Sequence, residues 1–141
     1  MVWVHELANA LRTGRTKNIA MNTAQPYNRS MQTVIETHAY LKAAAAAGMT
    51  EDEMKLAVDT VSADPTTGDL IKGSGGCRKV RIAGRGKGKS GGYRVVTFFA
   101  PEGGQGVFLL HVLSKGRVAN LTQAQVNALS TVTALLKGGS G

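Results

Sequence analysis

Lys79, Arg81 and Arg94 have the residue types and the spacing for chemistry on a phosphodiester. Cys77, Lys79 and Arg81 alternate with Arg78, Val80 and Ile82, so a strand here puts Lys79 and Arg81 on one face beside Cys77 and turns Val80 and Ile82 toward the core. Arg94 begins the next predicted strand and can approach the same surface; Lys115 and Arg117 follow the strand after that and can border it. Cations around one concavity can hold a scissile phosphate and stabilise the extra negative charge of its transition state. On RNA the 2′-hydroxyl is an internal nucleophile, so no metal-bound water is required. The same row of cations could also dock an acidic partner and catalyse nothing, and composition does not choose between the two.

The charge is confined to one place. From Lys72 to Arg94 there are eight cations, namely Lys72, Arg78, Lys79, Arg81, Arg85, Lys87, Lys89 and Arg94, and no acid falls between Asp69 and Glu102. The other nine Lys and Arg residues are matched by nine acids, so this stretch carries the whole net charge of +8. An imbalance confined to one hairpin reads as a binding surface.

Other chemistries fit less well. Residues 83–90, A-G-R-G-K-G-K-S, approach the phosphate-loop pattern G-x-x-x-x-G-K-[ST], with alanine in the first place. A phosphate loop must open a helix whose N-terminal amides hold the phosphates, whereas here a strand follows. A hairpin loop with solvated lysines is the better reading. His5, His38 and His111 are scattered, with no partner at metal-ligand spacing. His38 is expected to pack half-buried on a helix. His111 lies in an apolar strand and is read as a core histidine in preference to a site residue. Cys77, between cations, could have a lowered thiol pKa, but an incidental strand cysteine is the plainer reading. No metal and no cofactor are expected.

These residues need a frame. Met31 to Ala47 has a helical pattern ending at Gly48, the expected left-handed stop. Thr50 and Glu53 form a capping box for a second helix that should end before Asp64-Pro65. Leu70 and Ile71 form a short apolar anchor. Strands are then expected around residues 77–82, 93–99 and 106–113, joined by short glycine-rich connections as an antiparallel meander. The last is nearly all apolar, as suits a central strand covered on both faces. Thr122 and Gln125 cap a last helix with Val126, Leu129, Val132 and Leu136 on its apolar side. The order is α+β in one domain, residues 31–137. Residues 1–30 read as a loosely ordered arm, with Met31 a second candidate start, and residues 138–141 as a flexible tail.

The totals bound the class. A chain of 141 residues with 43% hydrophobic and 5% aromatic content can bury one mostly aliphatic core. A pI near 10.0 fits an anionic partner. A membrane-surface segment would put its cations on a helix, whereas these sit between strands. No apolar run reaches the roughly 20 residues of a membrane span, and the first residues lack the order of a secretory signal. A soluble cytoplasmic protein with no membrane partner is expected.

At R-K-V-R-I, then G-K-S-G-G-Y-R-V-V-T-F-F, then V-F-L-L-H-V-L-S-K-G-R-V-A-N-L-T, the chain resembles the RelE/ParE superfamily of bacterial toxins, and within it the RelE/HigB-like branch. The resemblance covers about residues 31–136. It implies a compact α+β, microbial-ribonuclease-like fold: two N-terminal helices on a three- to four-stranded antiparallel sheet, with a C-terminal helix. A fourth strand would come from the start of the first helical segment or from Leu70-Ile71. It further implies a type II toxin that cleaves messenger RNA on the ribosome and is neutralised by a cognate antitoxin. Lys79, Arg81 and Arg94 then match the catalytic positions, the two arginines clamping phosphate and Lys79 handling a proton or stabilising charge; a general-base lysine would need a lowered pKa. Arg78, Arg85, Lys87, Lys89, Lys115 and Arg117 fall to RNA binding. Several relatives carry a C-terminal tyrosine against the RNA base; this chain has none there, and Tyr93 is the nearest phenol. The alternatives are a ParE-like toxin inhibiting DNA gyrase, and a non-catalytic module binding RNA or antitoxin.

Overall fold

The computed structural model describes residues 21–22, 32–83, 92–99, 106–114 and 121–138. The elements in chain order are β1 (Met21–Asn22), β2 (Val34–Glu36), α1 (His38–Ala47), α2 (Glu51–Ala63), β3 (Asp69–Leu70), β4 (Cys77–Ile82), β5 (Tyr93–Phe99), β6 (Val107–Ser114) and α3 (Gln123–Gly138). One sheet runs β1-β2-β6-β5-β4-β3. The expected meander is its centre: β4 pairs antiparallel with β5, and β5 with β6.

The sheet is mixed, where an antiparallel one was expected. β2 joins β6 in parallel, Val34 opposite Val107 and Glu36 opposite Leu109. Both candidate fourth strands form, since β3 also pairs with β4. The predicted helix from Met31 therefore starts late. Val34 and Ile35 are β-branched and stiff at χ1, which suits a pleat, and the helix begins only after Thr37. That residue donates its Oγ1 hydrogen to the Leu109 carbonyl at 2.7 Å and accepts from the Tyr40 amide at 3.1 Å. One side chain thus caps α1 and ties it to the central strand.

The other boundaries follow their signals. Gly48 ends α1 at φ 81°. The Thr50–Glu53 box is closed in both directions, and three acids occupy the first turn of α2. α2 stops at Ala63, before Asp64-Pro65. Thr122 and Gln125 exchange backbone-to-side-chain bonds of 2.9 and 3.1 Å at the start of α3. α3 runs through Gly138, the first residue of the expected tail.

Both faces of the sheet are covered. On one, Tyr40, Ala44, Ala57, Val58 and Val61 of the helical hairpin pack on Val80, Ile82, Tyr93, Val95, Leu109 and Val112. On the other, Val126, Leu129, Val132 and Leu136 of α3 pack on Cys77, Val96, Phe98, Phe108, Leu110 and Leu113. Each fully buried aliphatic side chain contributes roughly 1.5–3 kcal/mol. The face of Cys77 is thus a second core, whereas only the face of Val80 and Ile82 was expected to be one. Of the apolar anchor, Ile71 is buried and Leu70 is exposed.

Candidate functional site

The register stacks three rows across β4, β5 and β6 on the α3 face. They read Cys77–Phe98–Phe108, then Lys79–Val96–His111, then Arg81–Arg94–Leu113. α3 lies over the first row, where Lys137 Nζ stands 5.9 Å from the centre of the Phe98 ring. Beyond it, Lys79 and Arg94 are half-buried and Arg81 is exposed. Arg81 and Arg94 are direct cross-strand partners, with Cα atoms about 5 Å apart. Opposing like charges cost stability in a sheet.

The three residues expected to carry chemistry therefore share one face and two adjacent rows. An acid also reaches this face: Asp69 of β3 is the cross-strand partner of Lys79. That corrects the expectation of an acid-free surface. The gap in acids along the chain begins just after Asp69, and only the β3–β4 pairing brings it back beside Lys79.

Arg78 is placed elsewhere. It points to the helical-hairpin side and donates to the Gly68 carbonyl at 3.1 Å, so it pins the turn before β3. Arg85, Lys87, Lys89, Lys115 and Arg117 lie outside the described residues. β4 ends, β5 begins and β6 ends at the same rim of the sheet, beside the arginine pair, since Ile82 pairs with Tyr93 and Tyr93 with Ser114.

The remaining candidates sort by burial. Cys77 is completely buried under α3, and burial pushes its thiol up to about 12, which removes it as a nucleophile. Tyr93 faces the helical hairpin, with its hydroxyl 3.4 Å from the Gly48 carbonyl, so it is no phenol of the cationic face. His38 is exposed at the start of α1, not half-packed. His111, expected in the core, is half-buried in the row of Lys79, and burial lowers its pKa to about 4. A β-bulge between β5 and β6 puts it there, and a bulge has no sequence signature in so apolar a strand. Among the described residues no cluster of three or more His, Cys, Asp or Glu could hold a metal ion, and no helix is long and apolar enough to cross a membrane.

One comparison bears on this arrangement. A family model described as the RelE toxin of the RelE/RelB toxin–antitoxin system matches residues 32–140. The match takes in every element described above except β1.

Proposed function

Because the chain belongs to the RelE toxin family, the toxin side of a toxin–antitoxin pair, we propose that it is an endoribonuclease that cuts messenger RNA on the ribosome without a metal ion. The observation that carries this reading is the Arg81–Arg94 pair with Lys79 one row away on the same face. Messenger RNA and a cognate antitoxin are its partners, and the cytoplasm is where it works.

The 2′-oxygen of the nucleotide before the cut attacks the adjacent phosphorus while its proton passes to water. The bond from phosphorus to the 5′-oxygen breaks, and that oxygen takes a proton from Lys79, which recovers one from solvent. The products are a 2′,3′-cyclic phosphate and a 5′-hydroxyl. Arg81 and Arg94 approach the phosphoryl oxygens from neighbouring strands and stabilise the charge gained in the transition state. Paired guanidiniums suit this because each offers a planar fork of donors to phosphate oxygens. Arg85, Lys87, Lys89, Lys115 and Arg117 supply sequence-independent attraction to the backbone. Arg78 serves RNA only indirectly, through the strand it helps to hold.

Expression of the chain should arrest growth, and labelled message should be cut only when ribosomes are present. Arg94→Ala and Lys79→Ala should abolish both. Full toxicity in those variants would overturn the site assignment. Intact messages together with loss of DNA supercoiling would replace this reading by gyrase inhibition, and antitoxin binding without either effect would leave a binding module.

A further inference from the structure

β6 does not pair evenly with β5. Phe98 faces Phe108 and Thr97 faces Leu109, but Val96 faces His111, so Leu110 is an extra residue. Plain alternation from Phe108 would send His111 to the helical-hairpin side with Leu109. The bulge reverses this for everything that follows: His111 and Leu113 stand on the face of Lys79, Arg81 and Arg94, and Val112 goes to the hairpin core. Bulges re-aim side chains in this way beside functional sites.

Cations engaged with phosphate position an RNA backbone but do not read it; reading takes a further plane to stack on or a hydrogen-bonding edge. Phe98 and Phe108 are buried, in the row beneath α3. Tyr93 faces away. In the two cationic rows His111 is the one aromatic ring among the described residues, and it is partly open. It is a diagonal cross-strand neighbour of Arg94, at a spacing of about 7–8 Å that long side chains bridge. Its lowered pKa keeps the imidazole neutral at physiological pH, so it does not repel the arginine; its Nδ1 is buried, which leaves the ring face and the Nε2 edge to a base.

We propose that His111 is the specificity-determining residue of this face, receiving the nucleobase next to the phosphate held by Arg81 and Arg94. The proposal rests on the ribonuclease reading.

The experiment is a cleavage map on ribosome-bound messenger RNA for wild type, His111→Ala, His111→Phe and Arg94→Ala, with a thermal melt of each. His111→Ala should still cut, with a flattened site preference and a KM raised about tenfold, as loss of one base-stacking contact gives. His111→Phe should recover the KM by stacking but not the preference, which needs the hydrogen-bonding edge. If His111→Ala melts early, the stably folded His111→Phe decides: a wild-type map from it overturns the proposal. A uniform fall in kcat at all sites, with loss of the acid limb of the pH profile, also overturns it, because His111 would then be a proton carrier. Should wild type cut no RNA at all, the ribonuclease reading fails and His111 with it. Should wild type cut, Arg94→Ala not cut, and the His111 variants keep the wild-type map, only the present inference fails.

Discussion

Gly68 lies against the backbone of Lys79. A Cβ on Gly68 would stand 2.5 Å from the Lys79 carbonyl oxygen and 2.9 Å from Val80 Cγ2, and its φ of +96° is one that L side chains rarely adopt. The turn before β3 therefore backs directly onto β4, the strand that carries Lys79 and Arg81. Gly68→Ala should cost about 3 kcal/mol, from backbone strain and from displacement of β4. Urea denaturation reads the loss. At temperatures where the variant is still folded, message cleavage should also fall, because Lys79 moves with the strand.

Arg94 should trade stability for activity. It faces Arg81 directly, and opposed like charges in a sheet cost up to about 1 kcal/mol. Arg94→Gln should therefore melt slightly higher than wild type at low salt, with the difference shrinking as salt screens it. Cleavage should fall by about a hundredfold or more, the usual loss when one charge-stabilising donor is removed. A variant that was both less stable and less active would show that Arg94 is held in place by the fold.

His111 makes stability depend on pH. In the unfolded chain its pKa is near the ordinary 6.5, and in the folded protein burial lowers it to about 4. Between these values the unfolded state binds more protons, so stability should rise with pH across that window. The full effect is no more than on the order of 3 kcal/mol. Glu36 works the other way: burial raises its pKa, so its contribution grows as pH falls through the carboxylate range. The slope of wild type minus that of His111→Gln isolates the histidine, and chemical denaturation between pH 4 and 7 measures both.

The buried phenol of α1 offers a fourth test. Tyr40 is completely buried and its hydroxyl has no hydrogen-bond partner among the described residues. Burial raises its pKa, and the nearby Glu36 adds to that. Tyr40→Phe removes an unsatisfied polar atom at almost constant shape. It should be neutral or stabilising by about 1 kcal/mol. A loss of stability in a thermal melt would mean that the hydroxyl has a partner.

Elements governed by local chemistry were legible in the chain. Gly48, the Thr50–Glu53 box, the stop before Pro65 and the Thr122–Gln125 cap all sit where their residues act on the nearest backbone. The cationic face was half legible, since alternation alone puts Lys79 and Arg81 on one side of β4. What could not be read depends on pairing between distant segments. Val34–Glu36 becomes a strand because β6 is there to receive it, and taken alone it continues the helical pattern of the alanine run. Asp69 reaches Lys79, and His111 turns onto the cationic face, only through register, and a one-residue bulge is invisible in a run of apolar residues. The packing of α3 over Cys77 is of the same kind, because alternation cannot say which of two apolar faces a later helix will cover.

The parallel pairing of β2 with β6 has a consequence for how the molecule comes into being. Thr37 caps α1 and also holds the Leu109 carbonyl, and α3, the lid over Cys77 and Phe98, follows every described strand in the chain. The strands bearing the cations therefore precede β6 and α3, two of the segments that seat them. Long-range closure of this sort is slow compared with local hairpin formation. The cationic face should thus be completed only when two distant closures have been made, β2 onto β6 and α3 onto β4 and β5.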